Sequence, residues 1–227
     1  MQEVDEADVR WLVLLRHAKS AWPDGVDDQE RPLAPRGRRD APAAGRWLRD
    51  VGRVPDLAIC SPARRTRETW ELAARELGPA VPPGSPEHVV GGLGPAVPPG
   101  SPEPAAEEFG AAAPPGSPEP AAEEFGAAAP PVSYEPRLYA ATAPALIDVV
   151  RETPAALGTL LLIGHNPGMQ ELTLRLAGDA VGDALERAEA KFPTSAIAVL
   201  AWHGTWSQLA PGRARLVRFA VPRGAKR

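Results

Sequence analysis

The sequence predicts an α/β fold: a three-layer sandwich with a mostly parallel central sheet, helices on both faces and a C-terminal β-hairpin at one edge. Three observations predict it. Short apolar runs at Trp11–Leu15, Leu57–Cys60 and Thr159–Ile163 stop abruptly, at Arg16-His17, Ser61-Pro62 and Gly164-His165, as buried strands of about 4–8 residues do. Between them lie segments whose apolar residues recur at helical spacing, and such alternation argues for parallel pairing. Last, Ser195–Trp202 and Arg213–Val221 alternate apolar with polar residues across Pro211-Gly212, a strong turn signal.

Taken in order, residues 1–9 read as a polar tail, and Trp11–Leu15 as the first strand, which ends at Arg16-His17. Ala21–Arg31 (AWPDGVDDQER) reads as a loop. A helix follows and ends near Val51, with Trp47 and Leu48 facing inward. Pro35 and Pro42 each suit a first helical turn, where the missing N–H costs nothing, and Asp40 is a further start signal. One helix kinked at Pro42 and two separate pieces are both open. After the strand Leu57–Cys60, Ser61-Pro62 starts a helix through about Leu77, with Trp70, Ala73, Ala74 and Leu77 on one face and Gly78-Pro79 as its end. Val132–Tyr139 holds a short strand. Thr142-Ala143-Pro144 opens a helix with the stripe Leu146, Val149, Val150. The strand Thr159–Ile163 runs into Gly164-His165-Asn166-Pro167-Gly168, and a helix over Met169–Ala177 is capped by Gly178. Residues 181–191 are ambiguous.

Between these elements lies an unusual stretch. Residues 82–97, 98–113 and 114–129 are three 16-residue units, the last two identical (PPGSPEPAAEEFGAAA). Each offers at most one large apolar side chain, which does not offset an ordering entropy of about 1–2 kcal/mol per residue. The domain is therefore expected to span 10–227, interrupted by a disordered Pro/Ala/Gly/Glu-rich insert at 82–129. Two readings of the insert stand side by side: a neutral tandem expansion and a PxxP-like docking segment. The preceding helix carries the chain away from the first strand's end, so the insert is expected to leave from the edge opposite His17 and not to act as a lid.

Charge and composition exclude several classes. The formal net charge is −4, yet residues 78–131 contain seven Glu and no Asp, Lys or Arg, which leaves 22 acidic against 25 basic residues elsewhere. A mildly basic body without a Lys/Arg block suits a small anionic group better than a nucleic-acid track. The single cysteine, Cys60, excludes an internal disulfide. No apolar run approaches the roughly 18–20 residues of a membrane span, and MQEVDEADVR lacks the pattern of a signal peptide. A soluble, cytoplasmic protein with no membrane or nucleic-acid partner is expected.

The chemistry gathers at strand ends. Parallel strands ending at Leu15 and Ile163 would present Arg16-His17 and Gly164-His165 at one sheet edge, where ligands of open α/β sheets bind. A third strand end leads into SPARRTRET, with arginines at 64, 65 and 67. Guanidinium forks match phosphate oxygens, and an unprotonated imidazole, with a reference pKa of about 6.5, is a good nucleophile near neutrality.

LLRHAKS, SPARRTRET and GHNPG, in this order, resemble the histidine phosphatase superfamily, which includes phosphoglycerate mutases. RPLAPRG (31–37) and FPTSAIA (192–198) narrow the resemblance to its SixA-type phosphohistidine phosphatases, which lack a helical lid. It covers roughly residues 10–77 and 132–221. The resemblance implies that His17 is the nucleophile, phosphorylated on its outer ring nitrogen while a backbone carbonyl holds the other. It implies that Arg16 and Arg65, the arginine four positions after the serine, bind phosphate, and that His165 stabilises the transition state. No metal and no cofactor are implied. The family's usual RHG is RHA here, with Ala18 in place of glycine, a departure at a point of tight backbone turning.

Other residues carry two readings each. Ser20 is placed to donate to phosphate or to cap a loop. Glu135 lies where mutase-like relatives keep a general acid, though a phosphoramidate leaves without a strong one. Thr194-Ser195 lines the pocket or merely starts a strand. Arg64, Arg67 and Lys19 read as solvated charges, and His88 and His203 as neutral to function. The expected function is a metal-independent phosphohydrolase acting on phosphohistidine of a protein. The alternatives are a phosphatase for small phosphorylated metabolites and a non-catalytic phospho-ligand-binding or scaffold protein.

Overall fold

The computed structural model describes residues 9–78 and 129–225. Seven strands form one sheet: β1 (Val9–Arg16), β2 (Leu57–Cys60), β3 (Val132–Tyr134), β4 (Thr159–Gly164), β5 (Ala177–Ala180), β6 (Ile197–His203) and β7 (Ala214–Ala220). Their order is β3-β2-β4-β1-β6-β7-β5. β1, β2, β3 and β4 pair in parallel, as do β5 and β7, while β6 is antiparallel to both of its neighbours.

Side-chain alternation sorts the layers. Leu12 and Leu14 join Leu160 and Leu162 in one core, covered by α3 (Ala143–Arg151), α4 (Gly168–Leu176) and α5 (Ala184–Ala190). Val13, Leu15, Leu161 and Ile163 face the other way, onto α1 (Pro35–Asp50) and α2 (Arg64–Leu77). The central strands are thus buried on both faces, which is why they read as unbroken apolar runs.

Several expectations are refined. Residues 35–50 form one helix, with Pro35 in its first turn and Pro42 inside it. α2 begins at Arg64 rather than at Ser61: the Ser61 amide still donates to the Ile163 carbonyl at 3.0 Å, so it belongs to the sheet. Of Val132–Tyr139, only 132–134 is strand, and Pro136–Leu138 is a 3₁₀ turn. Residues 181–191 do contain a helix, α5.

The helix over 169–177 stops at Leu176, and Ala177–Ala180 becomes β5. A Cβ on Gly178 would come within 2.0 Å of the Gly212 carbonyl oxygen, so this glycine serves a close approach to the turn before β7. The β6–β7 hairpin, expected at one edge, lies toward that end of the sheet, but the edge strand itself is β5, which pairs with β7.

The insert, 82–129, lies outside the described residues except for Ala129. Its flanks are in place. α2 runs back along the sheet to Gly78, and the Pro131 carbonyl accepts from Ala58 N where β3 begins. Both flanks sit at the edge where the parallel strands start. Among the described residues, no helix is long and apolar enough to cross a membrane.

Candidate active site

Arg16 and Gly164 are register partners at the ends of β1 and β4, so the next residues, His17 and His165, leave the sheet side by side. Their ring centroids are 5.2 Å apart. β2, on the far side of β4, delivers Ser61 and the turn into α2, from whose first turn Arg65 points inward. His17, Arg65 and His165 are all at least nine-tenths buried.

His17 has a defined proton position. Its Nδ1 is 2.7 Å from the Ala18 carbonyl oxygen. A carbonyl can only accept, so Nδ1 carries the hydrogen and Nε2 keeps its lone pair. The Ala18 amide donates to Thr69 Oγ1 at 3.0 Å, and its methyl packs with Leu33 and Ala41. Ala18 is not among the residues with positive φ, so the turn accepts alanine without strain. The RPLAPRG segment packs against this turn: a Cβ on Gly37 would lie 2.2 Å from the Lys19 carbonyl oxygen.

His165 Nε2 lies 2.8 Å from Ser61 Oγ, and its ring meets Tyr139 edge-on at 5.4 Å. Arg16 donates to the Phe192 carbonyl at 2.7 Å, and Asn166 Nδ2 to the same oxygen at 3.1 Å. The Ser195 amide reaches the carbonyls of both Arg16 and His17 at 3.2 Å. Four buried polar atoms here have no partner among the described residues: Arg16 Nε, His165 Nδ1, Asn166 Oδ1 and Ser195 Oγ.

Arg65 is gripped by Asp28, to whose carbonyl and carboxylate it donates, the latter at 2.9 Å. Asp28 also accepts from the Tyr139 hydroxyl at 2.6 Å and from Arg31 at 2.7 Å. These two donors, ahead of Arg65, hold the carboxyl well below the usual carboxylate range. Burial, opposed by the Ala18 bond and aided by the nearby His165, Arg65 and Arg16, lowers His17 to about 3. Burial and then Arg65 lower His165 to about 4. Both imidazoles are neutral near pH 7, so Nε2 of His17 is available as a nucleophile.

The structure therefore brings together Arg16, His17, Arg65 and His165. It places the other candidates differently. Ser20 is buried, but its oxygen accepts from Arg31 at 2.7 Å. Glu135 caps the 3₁₀ turn, accepts from Arg137 N and pairs with the Arg137 guanidinium at 2.9 Å, and these contacts lower its pKa. Arg64 pairs with Glu68 along the exposed face of α2, and Arg67 lies 3.8 Å from Glu30. His203 is exposed.

Sequence reasoning assigned no role to Asp28, Arg31, Ser61, Tyr139 or Asn166. Arg31, Ser61 and Asn166 stood inside quoted motifs, a signal that could have found them. Asp28 and Tyr139 had no local signal.

The model of the histidine phosphatase superfamily (branch 1) matches residues 12–85. An uncharacterized protein of Mycobacterium tuberculosis is 35% identical over 211 residues, spanning 92% of this chain and 100% of its own length. Among solved structures, a protein of Nakamurella multipartitia, named as a candidate phosphohistidine phosphatase SixA, superposes with a TM-score of 0.64 at 26% identity, over 94% of this chain and 96% of that one. A similarly named protein of Agrobacterium tumefaciens shares the fold at 23% identity and a TM-score of 0.61, over 94% of this chain and 98% of its own.

Proposed function

Because the chain belongs to the histidine phosphatase superfamily, we propose that it is a phosphohydrolase that works through phosphorylated His17, with no metal in the mechanism. The observation that carries this is the His17 tautomer: Nδ1–H is tied to the Ala18 carbonyl at 2.7 Å, so the unprotonated Nε2 is aimed away from the backbone.

Nε2 attacks phosphorus in line, forming a P–N bond while the bond to the leaving group breaks. Arg16 and Arg65 bind the equatorial oxygens, and His165 stabilises their growing charge. Water then attacks phospho-His17, releasing inorganic phosphate and restoring the imidazole.

We read the substrate as phosphohistidine on a protein. Glu135, the carboxylate nearest in sequence to a mutase-like acid, is committed to Arg137 and held ionised. A site without a strong acid suits a leaving imidazole better than an alkoxide. A small phosphorylated metabolite is the second reading, favoured by the burial of His17, Arg65 and His165. We place the activity in the cytoplasm, where the buried thiol of Cys60 stays reduced, and read 10–227 as one domain around the insert.

Incubation with a phosphohistidine peptide should load acid-labile phosphate on His17. His17→Ala should abolish the label and slow turnover by on the order of 10⁴-fold or more. Equal turnover by wild type and variant would refute the mechanism and favour a non-catalytic phospho-ligand-binding protein.

A further inference from the structure

We propose that Ser61 is a positioning residue: its hydroxyl donates to Nε2 of His165, holding that ring in its Nδ1–H tautomer so that a neutral imidazole offers a hydrogen-bond donor to the phosphoryl group. This rests on the phosphohydrolase reading and extends it to a residue outside the four-residue pocket.

Ser61 is fully buried. Its amide donates to the Ile163 carbonyl at 3.0 Å, and its own carbonyl accepts from Thr66 Oγ1 at 2.7 Å. The residue is thus fastened to β4 on one side and to the start of α2 on the other. Among the described residues its side chain keeps one hydrogen bond, to His165 Nε2 at 2.8 Å.

A bond of that length holds one proton between the two atoms. Either Nε2–H donates to Oγ, or Oγ–H donates to Nε2. A neutral imidazole carries a single N–H, so the two arrangements differ in what Nδ1 presents. In the first, Nδ1 is a bare lone pair; in the second, it is N–H.

The surroundings choose between them. Nδ1 is buried and has no partner among the described residues, and the ring feels the positive charge of Arg65 and, more weakly, Arg16, offset in part by the Asp28 carboxylate that holds Arg65. Such a pocket is built for an anion. A bare nitrogen lone pair would repel an anionic oxygen, whereas N–H would bind it. Burial first, and then Arg65 and Arg16 against the opposing Asp28 carboxylate, also disfavours an imidazolium with both N–H groups. The arrangement in which Ser61 donates is the one that gives the anion a donor.

The two histidines then use one rule with opposite results. On His17 an acceptor, the Ala18 carbonyl, takes the proton of Nδ1 and leaves Nε2 as nucleophile. On His165 a donor, the Ser61 hydroxyl, occupies Nε2 and leaves Nδ1–H as binder. The backbone partner makes an attacking ring, and the hydroxyl partner makes a holding ring.

Two-bond ¹H–¹⁵N correlation spectra of the full-length protein read the tautomer without substrate. We expect wild-type His165 to be protonated on Nδ1, with that nitrogen shifting on titration with inorganic phosphate. In Ser61→Ala the Nε2–H form should grow and kcat should fall about 10- to 100-fold, more than KM changes. Ser61→Thr keeps the hydroxyl and should restore both the tautomer and turnover to within a few fold. Wild-type His165 protonated on Nε2 would overturn the proposal by itself, even if Ser61→Ala failed to fold. So would wild-type kcat in Ser61→Ala. Failure of the phosphohydrolase reading looks different: no label on His17 and no turnover, with the Nδ1–H tautomer still present.

Discussion

The two ends of β4 are both buried and polar, yet they are built on opposite terms. At its start, Asp56 accepts from the amides of Gly158 and Thr159 at 2.8 Å each, and the Asp56 amide donates to the Thr159 carbonyl at 2.9 Å. The carboxylate there is used to hold chain to chain. At its end, His165 Nδ1, Arg16 Nε, Asn166 Oδ1 and Ser195 Oγ have no partner among the described residues. Buried polar atoms in folded proteins are nearly all hydrogen-bonded. A single exception, such as Thr153 Oγ1, says little, but a cluster of them around two imidazoles and two guanidiniums marks where a polar ligand belongs. The difference teaches that burial and polarity do not by themselves identify a site. Satisfaction does: we propose that the bonded end serves structure and the unbonded end serves chemistry.

The sharpest way to break this comparison is to mutate each end and read both activity and stability. His165→Ala should lower kcat/KM by about 10²–10³-fold, the loss typical of a transition-state donor, while stability to urea changes by no more than about 1–2 kcal/mol. If turnover were unchanged, the unpaired end would have no claim on the chemistry. Asp56→Ala should do the reverse. Two buried amides lose their acceptor, which destabilises the fold by about 2–3 kcal/mol, and kcat/KM of the folded protein should stay within about threefold. An inactive but fully stable Asp56→Ala would erase the distinction between the ends.

A smaller effect sharpens it through pH. His17 and His165 are lowered from 6.5 to about 3 and about 4, so below pH 6.5 the unfolded chain binds more protons than the folded one. Stability then falls as pH falls, from about 6.5 towards the folded pKa values, and is fully present above that range. Between pH 6.5 and 4 the part due to His17 should be on the order of 1–3 kcal/mol. Urea melts across this range should show a shallower pH slope for His17→Ala than for wild type. An identical slope would show that the site edge stores no such tension.

Much of this was legible in the sequence. The abrupt stops after Leu15, Cys60 and Ile163 located three strand ends to within one residue, because burial on both faces makes an unbroken apolar run that ends where the sheet ends. Arg65, chosen over Arg64 and Arg67, is the arginine of the three that is buried. Helix boundaries were less legible. Ser61 looked like a helix start because Pro62 follows it, but a sheet hydrogen bond claims its amide. Ala177–Ala180 has no strand signature of its own. It is a strand because β7 offers it an edge, and tertiary pairing overrides weak local preference.

By itself, the sequence determined the layer order of the core, the strand ends and the residues standing on them. Those depend on periodicity and on immediate neighbours, which a linear reading contains. The tertiary structure alone decided who holds whom. Asp28 reaches Arg65 across 37 positions, Tyr139 reaches Asp28 across 111, and Ser61 meets His165 across 104. No local spacing encodes such contacts. They exist because three strands end at one sheet edge and set their loops face to face, and there the proton of each imidazole is assigned by whichever neighbour the fold supplies.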